Sequence, residues 1–383
     1  MSDEQGREVY TEVGAAPVIN ASGFQLTMLG GQILSPRVLA AMERANRSFV
    51  DMKALLDSTG KVIAALLGAE AAFVTTGCCS AMALGAAACM AGTNPAYAAQ
   101  LPDTTGMPNE ILIQGTQRYK YERCVTVSGA KLVQVGDAAG ASAAQLEDAI
   151  SERTAAVLMV ASQAAKPVTL DEVLRIAKRR KIPVILDAAG QVYPPERLKQ
   201  FPAMGVDLIA HSSKYFGGPN STGFLCGRRD LVEAAAFHSF ISFEYGPPFT
   251  IGRPMKLDRQ EIVAVVEALR EWLTMDHRAR FATYRRRAER LRALLAEIPG
   301  VVATLDGEPV TGVRIALDEA ALGKTIAEIA DELHRGQPAV WLHYDTGVYL
   351  RSQKPGGMRF SVMTLVEGDD ERLAARLREV LTR

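Results

Sequence analysis

Two residues carry most of the chemistry legible in this chain, and each closes an apolar run. Lys214 stands in "DLIAHSSKYFGGPNSTGFL" (Asp207 to Leu225), just past a strand-like segment and among serines and glycines. Asp187 stands near the end of "IPVILDAA" (Ile182 to Ala189). A lysine among small residues suits Schiff-base chemistry, in which its amine attacks a carbonyl. A carboxylate closing a buried strand is costly unless it meets a partner. Singly, Lys214 also reads as a solvated loop lysine and Asp187 as a helix cap. Together they are more specific, because adjacent parallel strands bring both side chains to one end of a sheet, where ligands bind.

That pair meets two of four requirements of pyridoxal phosphate chemistry: an amine for the imine, and a carboxylate that keeps the pyridine nitrogen protonated. The third is a phosphate cradle. "FVTTGCCSAMALGAAACM" (Phe73 to Met90) places Gly77, Cys78, Cys79 and Ser80 between a β-rich run and an alanine-rich helix. Small residues at a helix N-terminus let an anion approach free N–H groups. A tight turn alone would look the same, and the stretch lacks the G-x-x-x-x-G-K-[ST] spacing of a nucleotide-binding loop. Small turn residues explain Cys78 and Cys79 better than a nucleophile or a metal site. The fourth requirement is a cation for a substrate carboxylate.

These residues need a scaffold, and the middle of the chain supplies its pattern. "RTAAVLMVAS" (Arg153 to Ser162), "IPVILDAA" and "DLIAHSS" (Asp207 to Ser213) read as buried strands. Between the first two, "TLDEVLRIAKRRK" (Thr169 to Lys181) has helical spacing, with Thr169 as N-cap and Glu172 completing a capping box. The rhythm predicts an α/β fold with a mainly parallel sheet and helices on both faces. The segment from Pro254 to Ile298 reads as long amphipathic helix. Short strands and two further helices, near Thr325 to Arg335 and Asp369 to Leu381, follow. The expected organisation is an N-terminal segment over 1–50, a large domain over 51–250 and a smaller α+β domain over 251–383.

Composition fits this plan. The chain has 383 residues, 48% hydrophobic and 22% charged, enough for two packed lobes. Lys plus Arg and Asp plus Glu are both 43, so the net charge is +0. A nucleic-acid binder shows a basic excess; here there is none overall, although "YRRRAERLR" (Tyr284 to Arg292) is a local basic run. The five cysteines form no CxxC pair, which points to reduced thiols in a cytoplasmic compartment and to no metal site. The polar N-terminus shows no apolar signal region, and the Ala81 to Ala91 stretch reads as a buried helix, not a membrane span.

The segment from Asp187 to Ala235 resembles the fold-type I pyridoxal phosphate-dependent enzymes, in the branch related to L-seryl-tRNA(Sec) selenium transferase and D-glucosaminate-6-phosphate ammonia-lyase. "VINASGFQLTMLGG" (Val18 to Gly31) and "GAEAAFVTTGCCSAMAL" (Gly68 to Leu84) are similar to it as well. The resemblance implies Lys214 as the Schiff-base lysine and Asp187 as the partner of the pyridine nitrogen. It implies Gly77, Cys78 and Cys79 as the phosphate cradle, with Ser212 assisting. It implies a homodimer or higher homo-oligomer with active sites at the interface, where Arg253 in "TIGRPMK" contacts a phosphate in trans. Tyr119 or Tyr121 would stack on the ring, Gln163 would lie near the phenolic oxygen, and His211 would act as a base or cofactor contact. Arg359 in "GGMRFSV" is the first choice for the substrate carboxylate, and Arg351 the second.

The expected reaction begins at a Cα carbanion of a small amino acid or amino sugar acid and proceeds by α,β-elimination, a lyase activity of the ammonia-lyase type. The same electron sink also serves a racemase or epimerase, an aldolase or an aminotransferase. Selenium transfer on seryl-tRNA would need phosphate-neutralising contacts that the charge balance does not supply. A non-catalytic binding module that kept the fold is a third class, and the joint presence of Lys214 and Asp187 argues against it.

Overall fold

A computed structural model describes residues 3–161, 168–342 and 357–382. The chain forms two compact units, Gln32–Thr274 and a second built from Met1–Gly31 with Met275–Arg383.

The larger unit holds a seven-stranded sheet. From one edge its strands are Ala71–Thr75, Gly223–Gly227, Leu208–Ser212, Val184–Asp187, Thr154–Val160, Glu110–Gln114 and Lys131–Val135. Only Gly223–Gly227 runs antiparallel to its neighbours, so the fold is α/β with a mainly parallel sheet. Parallel strands covered on both faces have no wet side, which is why they read as unbroken apolar runs. Every residue of Thr154–Val160, Val184–Asp187 and Leu208–Ser212 is buried. The Leu170–Arg180 helix starts as the capping box requires. The Glu172 N–H donates to Thr169 Oγ1 at 3.3 Å, and the Thr169 N–H donates to Glu172 Oε2 at 2.9 Å.

The unit boundaries differ from those expected at 50/51 and 250/251. The Pro36–Ala45 and Arg259–Thr274 helices both belong to the larger unit. Arg259–Thr274 buries Ile262, Val265, Val266, Leu269 and Trp272, each worth about 1.5–3 kcal/mol when fully removed from water. Its polar side is tied as well: Ser35 Oγ donates to Glu271 Oε2 at 2.6 Å, and Arg37 pairs with Glu267. The long helical reading over Pro254–Ile298 also breaks in two. Asp276 accepts from the Ala279 N–H at 2.9 Å and so caps a new helix, His277–Ala296.

The smaller unit has a three-stranded antiparallel sheet, ordered Gly357–Ser361, Gly312–Ala316, Val302–Asp306. The His277–Ala296, Ile326–Arg335 and Asp369–Thr382 helices bury leucines in its core with Val313, Ile315, Met358 and Phe360. The early segment joins it: Ile19–Asn20 pairs in parallel with Val340–Trp341, and the Ser361 N–H donates to Ala21 O at 2.8 Å. Among the described residues no helix is long and apolar enough to cross a membrane.

Candidate active site

Asp187 ends its strand in register with Ala210 of the next. Two main-chain bonds hold the ends of these strands together, Ala188 N to Ala210 O at 3.0 Å and Ser212 N to Ala189 O at 3.2 Å. The chain then turns through a short 3-10 segment, Ser213–Phe216, which carries Lys214. Asp187 and Lys214 therefore leave the same edge of the same sheet, the carboxyl end of parallel strands.

Asp187 is buried, and three donors meet its carboxylate. The Ala189 N–H and the Cys78 thiol reach Oδ1 at 3.0 and 3.4 Å, and the Tyr119 hydroxyl donates to Oδ2. Burial and the Asp187 charge push the Tyr119 phenol and the Cys78 thiol well above their ordinary ranges, so both keep the protons they donate. Lys214 is half-buried. Desolvation holds its ammonium below the ordinary lysine range, against a lift from Cys79 and with a further push down from Lys120. An amine in that state is closer to the neutral nucleophile that imine chemistry needs.

The cradle lies at the start of the Gly77–Ala91 helix. Its N-cap residue, Thr76, makes no capping bond; the Thr76 hydroxyl turns to Ser80 Oγ at 2.7 Å. The first-turn N–H groups thus have no side-chain cap, and an anion would satisfy them. Gly77 has φ +75°, a left-handed value that favours glycine. Gly223 lets the strand pass close by: a Cβ there would sit 2.7 Å from the Gly77 carbonyl carbon and 2.8 Å from the Cys78 nitrogen. Nearby in sequence, the buried Ser213 hydroxyl has no hydrogen-bond partner. An uncapped helix N-terminus, an orphaned hydroxyl, a desolvated lysine and a carboxylate at a sheet edge fit pyridoxal phosphate, anion at one end and pyridine nitrogen at the other.

The remaining expected residues fall as follows. Ser212 is buried at the strand end, one residue before the lysine turn. His211 is fully buried with its ring on Phe224, centroids 5.0 Å apart, and desolvation pushes the imidazole down to about 4, slightly offset by the Ala188 main chain. Arg253 pairs with Glu244 at 2.6 Å on its own chain. Arg359 lies in the smaller unit, paired with Asp306 and donating to Thr311 Oγ1 at 2.9 Å. Gln163 and Arg351 lie outside the described residues. Of the two candidate tyrosines, Tyr119 is the one that meets Asp187, and Tyr121 packs edge-on against it at 5.9 Å. Sequence reading missed the direction of the Cys78 side chain and the close approach of Gly223. The G-F-L-C-G pattern after a turn carried the second signal, since glycine inside a strand marks close backbone contact.

Comparison with known proteins bears on the family, the fold and the cofactor. The aminotransferase class-V family profile matches residues 50–303. The chain is 32% identical to 5'-C-glycyluridine monooxygenase-decarboxylase of a Streptomyces species, over 97% of this chain and 92% of that one. It is 29% identical to D-glucosaminate-6-phosphate ammonia lyase of Salmonella typhimurium, over 97% of both. A solved structure of D-glucosaminate-6-phosphate ammonia-lyase superposes with TM-score 0.86 at 27% identity, covering 98% of each chain. Serine palmitoyltransferase of Sphingomonas wittichii, at TM-score 0.53 and 15% identity over 95% of this chain and 86% of that one, shares the fold alone. The chain belongs to the aminotransferase class-V family and is a fold-type I, pyridoxal 5'-phosphate-dependent enzyme.

Proposed function

We propose that the chain catalyses α,β-elimination on a small amino acid or amino sugar acid, as a lyase of the ammonia-lyase type. The observation that carries this reading is the pairing of half-buried Lys214 with Asp187 at one sheet edge, facing an uncapped helix N-terminus. The likeness to D-glucosaminate-6-phosphate ammonia lyase supports it in both sequence and structure.

Pyridoxal 5'-phosphate, when bound, supplies an electron-accepting ring conjugated to the substrate's amine. The chain does the rest. The N–H groups of Gly77, Cys78 and Cys79 hold the phosphate, with Ser212 assisting. Asp187 keeps a proton on the ring nitrogen. Lys214 Nζ, freed when the substrate amine takes its place, removes the Cα proton and can pass it to the departing β-substituent. The released enamine takes up water and gives a keto acid and ammonia. Tyr119 is proposed to contact the ring. His211, neutral and packed in the core, serves as a cofactor contact and not as the base. Arg359 for the substrate carboxylate, Arg253 for a phosphate in trans and Gln163 for the phenolic oxygen are further parts of this reading. So are a homodimer with interface sites, a cytoplasmic location and a small-molecule substrate without nucleic acid.

A second reading follows from the 32% identity to a monooxygenase-decarboxylase. There molecular oxygen would be consumed, one atom entering the substrate and the other leaving in water, as the substrate's carboxylate departs as carbon dioxide. One experiment separates the two. Purified holoenzyme is offered amino acids, amino sugar acids, their phosphates and aminoacyl nucleosides. Keto acid and ammonia without oxygen uptake support elimination. Stoichiometric oxygen uptake with carbon dioxide release, or no cofactor absorbance at all, overturns it.

A further inference from the structure

Asp187 has an uneven set of partners. Oδ1 takes two hydrogen bonds, from the Ala189 N–H at 3.0 Å and from the Cys78 thiol at 3.4 Å. Oδ2 takes the hydroxyl of Tyr119. All three donors are neutral. The Cys78 thiol carries one proton and has two acceptors in reach, Asp187 Oδ1 and Ala210 O at 3.5 Å. The ionised oxygen makes the stronger bond, so the proton points there. Burial and the Asp187 charge keep the thiol protonated.

A carboxylate at the end of a strand is free to rotate about its last side-chain bond. Two donors on one oxygen stop that rotation and leave the other oxygen on the side of Tyr119. A thiol is a weak donor. It orients the carboxylate without drawing off the negative charge that a ring nitrogen needs. A serine at the same place would orient it more strongly, and an alanine not at all.

We propose that Cys78 is a positioning residue for Asp187: its thiol and the Ala189 amide occupy Oδ1, so that Oδ2, shared with Tyr119, is the oxygen offered to the cofactor's ring nitrogen. Cys78 thus serves both ends of the cofactor, its main-chain N–H at the phosphate cradle and its side chain behind the aspartate. The inference rests on the reading of Asp187 as the ring nitrogen's partner.

The test compares the wild type with Cys78→Ala, Cys78→Ser and Asp187→Asn as purified holoenzymes. Three quantities are read: the dissociation constant for pyridoxal 5'-phosphate, the pH midpoint of the visible absorption band, and kcat beside KM. Loss of one hydrogen bond to a carboxylate corresponds to about a five- to tenfold weaker cofactor complex in Cys78→Ala. A shifted band midpoint and lower kcat at unchanged KM should accompany it. Cys78→Ser, which keeps a donor, should recover most of the wild-type values. If Cys78→Ala matches the wild type, or if Cys78→Ser is as impaired as Cys78→Ala, the proposal falls while the role of Asp187 stands. If Asp187→Asn binds the cofactor with an unshifted band, the reading of Asp187 falls and takes the proposal with it.

Discussion

Two regions of this molecule hold carboxylates partly or wholly withdrawn from water, and they hold them differently. At the sheet edge, Asp187 is met by a main-chain N–H, a thiol and a phenol. In the smaller unit, Asp306 meets the guanidiniums of Arg359 and Arg314, and Asp370 that of Arg287. Burial pushes Asp306 up, but its two arginines outweigh burial and hold it below the ordinary carboxylate range. An arginine partner spends a carboxylate's charge inside the protein. Neutral donors orient the group and leave its charge for a cation that arrives later. The first arrangement builds a lobe, and the second builds a site.

The largest expected effect is at the site. Lys214→Ala should lose the visible cofactor band and lower kcat by about 10²- to 10⁴-fold, the span of a positioned acid–base group, with thermal unfolding little changed. Retention of the band would break the contrast, because a half-buried lysine with no covalent role would be mere packing. On the other side of the comparison, Arg287→Ala should act on stability alone. Arg287 bonds Asp370 at 3.1 Å and the main-chain oxygens of Leu365 and Val366. Removing it strands a buried carboxylate and two carbonyls, at a cost of about 3 kcal/mol. Urea unfolding measures that cost, and an unchanged cofactor affinity would confirm the division of labour.

Next in size is the pH dependence around His211. Its folded-state value of about 4 lies below its ordinary 6.5. Between these the unfolded chain binds the proton and the folded chain does not. Stability is therefore full above about pH 6.5 and falls as pH drops toward 4, by roughly 3 kcal/mol in total. Asparagine at this position should flatten that slope. If His211→Asn keeps the full acid loss, other groups own it and burial is not what holds this histidine neutral.

Much of this was legible in the sequence because it depends on burial and periodicity. The strands that end at Asp187 and Ser212 announced themselves as apolar runs, and Lys214 followed from its glycine and serine setting. The capping box at Thr169 and Glu172 was readable residue by residue. Other features depend on which way a side chain turns in three dimensions. Cys78 reads as a small turn residue, and nothing local reveals that its thiol finds an aspartate more than a hundred positions on. Tyr119 and Tyr121 were equivalent in sequence, and only the fold shows that Tyr119 is the one bonded to Asp187. The helix break at Asp276 was hidden because a capping aspartate looks like any surface charge inside a charged helix. The unit boundaries shifted because packing of the Arg259–Thr274 helix, and not a change in composition, decides where a unit ends.

The smallest effect sharpens the comparison on an exposed carboxylate. Glu172, like Asp187, is held by neutral donors: the main-chain N–H and the hydroxyl of Thr169, each at 2.9 Å. Those bonds hold its carboxyl below the ordinary range, the main-chain bond first. Water competes for it, so the same kind of donor set should do far less here than in the core. A group with a depressed folded-state value lends stability above its ordinary 4.5, and that stability is lost as pH falls through the folded value. Thr169→Ala removes both bonds of the Thr169 hydroxyl, to the Glu172 carboxylate and from the Glu172 N–H, and should lower the melting temperature by about 2 °C at neutral pH. The difference should shrink as pH falls below the ordinary 4.5 and through the lowered folded-state value, where Glu172 gains its proton. A melting loss as large as that of Arg287→Ala would overturn the comparison, because exposure would then count for nothing in what neutral donors contribute.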